Sequence, residues 1–320
     1  MDKVTENLAK LPRFVKVGAG LATVYAALWA KNERDPRPVV SVLPLHGVII
    51  AGKASPLSQG KAPINMENLK AKIDQAFKPK KLDCVVLSIN SPGGAPVQCD
   101  LISSYLLEKA KEKGVPVVAF VEDVAASGGY WLACSAGEIY CARSSIVGSI
   151  GVIGGGFGFT EGMLKVGVER RVFTAGNSKS QLDPFQPLKE EDVVRQQAIL
   201  DGMHTHFIDH VKGSRGEKLK AEDEKLFNGE YWTGEVAEGL GLVDGVQLLE
   251  SWLLEKYGDE KKVRVIRINA SGGLRELLGG LVLDLGLRGS LGGILGEFGT
   301  VPVVGVVDPG VEAFVEGAFK

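Results

Sequence analysis

Four cysteines and four histidines are all that 320 residues offer to a disulfide, a thiolate metal site or a histidine base. Cys84, Cys99, Cys134 and Cys141 form no C-x-x-C pair, which removes the common zinc and thioredoxin-like readings. An excess of charge of one sign is lacking too: 37 basic side chains stand against 39 acidic ones, with no local basic patch. A polyanion finds no general attraction here, so nucleic acid is not an expected partner. Proline is scarce at 14 residues while glycine reaches 42. Glycine in excess without proline reads as tight backbone approaches and packed turns, not as a disordered linker.

Long hydrophobic runs are also few. Phe14 to Ala30 is apolar apart from Lys16, a run of 17 residues where a spanning helix takes about 20. Basic residues precede it (Lys10, Arg13) and follow it (Lys31, Arg34, Arg37), so charge sets no orientation. Three readings stand: a single uncleaved N-terminal membrane anchor, which is the leading one; a targeting peptide removed on delivery to an organelle; or a soluble helix packed on its own protein. Pro36 and Pro38 close the segment, placing a boundary after residue 36. At the other end, residues 271–310 hold 12 glycines interleaved with leucine and valine. Such a stretch either lies against a membrane or partner, or is a poorly ordered tail. The expected organisation is therefore 1–36 as anchor or targeting segment, 37–250 as the main domain and 251–320 as an extension.

Between these ends, short β-rich runs alternate with helical stretches. Strands are expected over 39–50, 82–90 and 115–122, and helices over 66–78, from about 96 to 113, over 126–136 and over 189–212. Crossovers of 20 or more residues between strands require parallel pairing, hence an α/β fold with helices flanking the sheet.

Several motifs are incomplete. Gly47 to Lys53 matches G-x-x-x-x-G-K, but Ala54 stands where a phosphate loop needs Ser or Thr. In GSIGVIGGGFGF (148–159) no G-x-G-x-x-G falls in register, so no dinucleotide is implied, and no cofactor or metal is expected. His206 and His210 have the i, i+4 spacing of a metal pair, yet without further ligands they and His204 read as solvated or interface residues; His46 reads as structural.

What survives is a set of three segments suited to acyl transfer. Ser91-Pro92-Gly93-Gly94 follows a strand, and its glycines expose N–H groups able to hold an oxyanion. Ala126-Ser127-Gly128-Gly129 follows another strand and opens a helix; Ser127 is a nucleophile candidate, and the Gly128 N–H a second oxyanion donor. An N-cap serine explains the same letters. With no suitable histidine the base would be a lysine, which acts only as a neutral, desolvated amine. Lys179, in TAGNSKSQLDPF, is the candidate, though by itself it reads as a surface lysine.

INSPGG (89–94), VAASGGYWLA (124–133), VGSIGVIGG (147–155), TAGNSKSQLDPF (174–185) and YWTGEVAEGLGLVDGV (231–246) resemble, in order, the landmarks of the signal-peptide-peptidase-A (protease IV) family. The resemblance covers residues 39–250 and implies the Clp-protease/crotonase fold and a serine–lysine peptidase. It implies Ser127 as nucleophile, Lys179 as general base, Ser149 orienting the lysine amine, and an oxyanion hole at the Gly93-Gly94 turn and Gly128. It also implies peptide substrates, a homo-oligomeric ring, and a dyad shared between neighbouring subunits. Trp131 departs from the family's usual tyrosine, and no arginine follows Pro184 closely. The competing functions are a crotonase-type acyl-CoA enzyme and a catalytically silent membrane scaffold; the Ser127, Ser149 and Lys179 set argues against both.

Overall fold

The computed structural model describes residues 35–52, 63–176 and 178–268. Segments 14–30 and 271–310 lie outside the described residues, and no described helix is long and apolar enough to cross a membrane.

Three long parallel strands form the middle of the sheet: β1 (Val39–His46), β2 (Leu82–Ser91) and β3 (Val117–Ala126). Between them run α1 (Met66–Ala76) and α2 (Pro96–Lys113). The Asn65 side chain caps α1 by accepting the Asn68 N–H at 2.9 Å. Pro96 opens α2, where its missing N–H costs nothing, and Gly114 ends it in the left-handed region at φ 63°.

The strands are apolar on both faces, as strands covered on both sides must be. Leu43, Leu45, Val85, Leu87, Ile89, Ala119 and Val121 enter the main core with α1 and α2. Their neighbours Val40, Val42, Cys84, Val86, Val118 and Phe120 point to the opposite face. There they meet Trp252 and Leu253 of the nine-residue helix α8 (Leu249–Tyr257).

Beyond β3 the sheet divides. Its first half pairs with β4 (Glu138–Cys141), and its last three residues pair with β5 (Ile146–Gly148), so one strand feeds two directions. β6 (Tyr231–Thr233) joins β5 antiparallel, a departure from the all-parallel expectation; the sheet is mixed. β7 (Gly245–Val246) extends β4, and β8 (Arg264–Arg267) extends β1, both parallel.

Two expected boundaries shift. The helix expected over 126–136 is α3 (Gly128–Ala133), because β3 continues through Ala126 and Ser127 forms the turn. The boundary placed at residue 250 falls inside the domain: α8 covers one face of the sheet and β8 is its edge strand, so the described fold runs to residue 268. The remaining helices are α4 (Thr160–Lys165), the long α5 (Glu190–Arg215), α6 (Asp223–Leu226) and α7 (Gly234–Gly239).

Candidate active site

Ser127 occupies the junction between β3 and α3 with φ 51° and ψ −123°. Positive φ in a residue with a Cβ is uncommon and stores about 1–3 kcal/mol of strain, which persists only where the surroundings over-determine it. They do so here. The Ser127 N–H donates to the Gly148 carbonyl at 2.8 Å, and its own carbonyl accepts from Tyr130 and Trp131 at 2.9 and 3.0 Å. The serine is thus held on a sharp strand-to-helix turn, the geometry that presents a nucleophile at the end of a sheet.

The flanking glycines are required by packing. A Cβ on Gly128 would lie 2.5 Å from Cys99 Sγ, and one on Gly129 would overlap the Ser91 carbonyl oxygen. The helix therefore sits closer to β2 and α2 than any side chain allows, and every residue of α3 is buried. At the end of β2, where the register with β3 shifts between Ile89 and Ser91, the Ser91-Pro92-Gly93-Gly94 turn closes against it.

That turn is pinned to Ile49 from both sides: Ile49 N–H donates to the Gly93 carbonyl at 2.8 Å and Ala95 N–H to the Ile49 carbonyl at 2.7 Å. Between these bonds the Gly94 N–H has no backbone acceptor among the described residues. The Gly93 N–H differs, since it donates to Ser91 Oγ at 3.2 Å. Gly128 stands at the first position of α3, where a helical N–H has no partner within its own helix.

Ser149 follows β5 with φ 53° and is held by its N–H bond to the Glu230 carbonyl at 2.7 Å. Because Ala126 pairs with Gly148, the Ser127 and Ser149 turns emerge side by side. Among the described residues, no contact within the chain brings Lys179 to them. It is exposed, and its amine has no hydrogen-bond or ion-pair partner among the described residues. Its loop folds on its own neighbourhood instead: Phe159 N–H donates to the Pro184 carbonyl at 2.7 Å, and the Phe159 and Phe185 rings stack at 5.5 Å.

The histidines do more than their spacing suggested. His206 is exposed, but His204 Nε2 lies 3.1 Å from the Ile150 carbonyl and His210 Nε2 lies 3.0 Å from the Trp131 carbonyl. Trp131 itself is core: its ring stacks on Phe207 at 4.9 Å and on His210 at 5.1 Å. The apolar positions of α5 gave no sign of these polar contacts, because their acceptors are main-chain atoms far away in sequence.

A model of peptidase family S49 matches residues 109–264. The Na(+)/H(+) antiporter NhaA of Brucella abortus is 44% identical over 247 residues, covering 77% of this chain and 33% of that protein. The chloroplastic serine protease SPPA of Arabidopsis thaliana is 28% identical over 297 residues, covering 90% of this chain and 42% of that one. A candidate protease of Methanocaldococcus jannaschii is 30% identical over 227 residues, covering 70% of this chain and 71% of that one. The chain thus spans less than half the length of the first two relatives. Aligned across most of its own length with proteases, and matched through the segment that carries β3, Ser127 and Lys179, the chain belongs to peptidase family S49, a family of serine peptidases.

Proposed function

We propose that the protein is a membrane-associated endopeptidase that cleaves hydrophobic peptides, such as signal-peptide remnants or membrane-protein segments, through an acyl-enzyme on Ser127. The observation that carries this reading is the backbone of Ser127, forced to φ 51° at the end of β3 beside two glycine turns with N–H groups to spare. Ser127 Oγ attacks the scissile carbonyl while its proton passes to the Lys179 amine. The oxyanion is received by the N–H groups of Gly94 and Gly128. Gly93 serves that hole as the residue without a side chain, its own N–H being taken by Ser91. Lysine then returns the proton to the leaving amine, and water attacks the ester carbon with the same amine as base, releasing the acid and Ser127. The Ser149 hydroxyl orients the amine in both steps.

A shared site between subunits is supported by the same arrangement. Among the described residues Lys179 has no partner for its amine, and it lies in a segment whose apolar side chains face outward, Ile153 and Phe173 being 94% exposed. A second copy covering that segment would bury apolar surface and desolvate the lysine together. A closed ring repeats one such junction at every interface. The membrane link rests on the apolar run 14–30.

A fluorophosphonate serine probe tests the assignment. Labelling of Ser127 in the wild-type chain, absent from Ser127→Ala and accompanied by hydrolysis of an extended apolar peptide, is the expected result. Equal labelling of Ser127→Ala, or peptide turnover by it, refutes the nucleophile.

A further inference from the structure

The long helix α5 runs beneath both strained turns. Along it, residues spaced by three or four positions meet the site segments in succession. A Cβ on Gly154 would lie 3.0 Å from Gln196 Nε2 and 3.2 Å from Leu200 Cδ2. His204 reaches the Ile150 carbonyl, next to Ser149; Phe207 and His210 stack on Trp131, four residues after Ser127.

Both histidine contacts are to carbonyl oxygens, which can only accept, so each ring carries its proton on Nε2. The Trp131 carbonyl needs such a donor. It lies in the last turn of α3, where carbonyls lack helical partners, and the Ser135 N–H that could have served it donates to Leu132 at 3.1 Å. Ser103 Oγ, at 3.5 Å from the same His210 nitrogen, is the more distant alternative. We propose that His204 and His210 are positioning residues, clamping the Ser149 and Ser127 turns to one helix by donating Nε2–H to the Ile150 and Trp131 carbonyls. The clamp supplies part of the over-determination that two residues at φ 51° and 53° require. It acts on geometry alone; neither ring touches the reacting atoms.

The inference rests on Ser127 being the nucleophile, so its test carries one readout that does not depend on activity. His204→Phe and His210→Phe keep an aromatic ring and remove the donor; His204→Gln and His210→Gln keep an N–H donor and remove the ring. In full-length protein, hydrogen exchange of the amides over 128–134 and 149–151 is measured alongside kcat and KM on an apolar peptide. The Phe variants are expected to exchange faster in those two segments, with the amides of β1 and β2 unchanged. They should lose about tenfold to a hundredfold in kcat, as small misplacements of reacting groups do, with KM nearly constant. The Gln variants should restore most of both. Folded Phe variants with wild-type exchange and kcat overturn the clamp, as do Gln variants impaired as severely as Phe. Should a Phe variant fail to fold, its Gln counterpart decides alone: wild-type behaviour supports the donor role, and loss refutes it. If the wild-type chain cleaves no peptide and takes no serine probe, the proposed function fails while the exchange comparison still judges the clamp.

Discussion

Gly93 and Ser127 stand back to back: a Cβ built on Gly93 would lie 2.8 Å from that of Ser127 and 2.7 Å from the Gly128 nitrogen. The Ser91–Gly94 turn and the Ser127 turn are therefore in direct contact at a position only glycine can fill, and Gly93 also needs its φ of 103°. Gly93→Ala must push the two turns apart. The expected outcome is a folded protein whose kcat/KM falls about a hundredfold or more, since one oxyanion donor alone is worth about that much. Peptide hydrolysis by a variant with an unchanged circular dichroism spectrum checks this.

On the proposed Ser127–Lys179 dyad, Ser127→Ala and Lys179→Met are each expected to abolish peptide hydrolysis, because members of one catalytic unit fail singly. If the dyad spans subunits, co-assembly of the two inactive variants restores activity at junctions where both wild-type residues meet, about a quarter of them for equal mixing in a closed ring. Zero activity in assemblies shown by crosslinking to be mixed would place both residues in one chain.

Burial disfavours the reactive thiolate form of all four cysteines. It pushes Cys84 and Cys141 up to about 11, and Cys99 and Cys134 up to about 12. All four are free and buried. At pH 8 the native protein should react with a disulfide reagent only as fast as it opens, whereas in denaturant all four thiols should react at once. Rapid stoichiometric labelling of Cys99 in the native state would contradict its place under Gly128.

Arg215, 2% exposed, donates to Asp244 Oδ2 at 2.6 Å and to the Gly241 carbonyl at 3.1 Å. Burial by itself would raise the Asp244 carboxyl, but its bonds to Arg215, Lys218 and the Ile139 N–H outweigh this and lower it. A depressed carboxyl contributes stability that is present above the unfolded value near 3.8 and lost as pH falls through the folded one. Asp244→Asn should cost about 3–5 kcal/mol at neutral pH by leaving a buried guanidinium unpaired. Urea denaturation measures the loss, and the variant's stability should fall less steeply below pH 4.

His210 shifts the other way from most paired histidines. Burial lowers its ring below the ordinary 6.5, against the opposing effects of the Trp131 carbonyl and Asp100. In the unfolded chain the ring takes up a proton first as pH falls. The neutral ring therefore contributes stability above pH 6.5 that is lost on acidification toward the folded value. Between pH 7.5 and 5.5 the wild-type chain should lose more stability than His210→Gln, as read by urea denaturation at the two pH values. An equal loss in both would mean that the ring is not buried in its neutral form.

Much of this was written in local sequence. Apolar runs over 82–90 and 115–122, helical spacing over 66–78, and glycine–serine strings after two strands reflect neighbouring residues, so they specify strands, helices and turns without distant partners. The same strings pointed to Ser127 and the glycines around it, whereas Ser149 and Lys179 took their roles only from the family resemblance. What the sequence could not contain is which distant atoms would meet. That Ala126 pairs with Gly148 and so sets Ser127 beside Ser149, that β5 and β6 run antiparallel, and that β8 carries the sheet past residue 250 to pair with β1 are contacts between segments far apart in the chain. His204 and His210 read in sequence as solvated or interface residues because their acceptors, the Ile150 and Trp131 main-chain oxygens, have no side-chain signature. Local letters determine the conformations a segment favours, and only packing of the whole domain decides which of these a residue such as Ser127 must hold at the expense of strain.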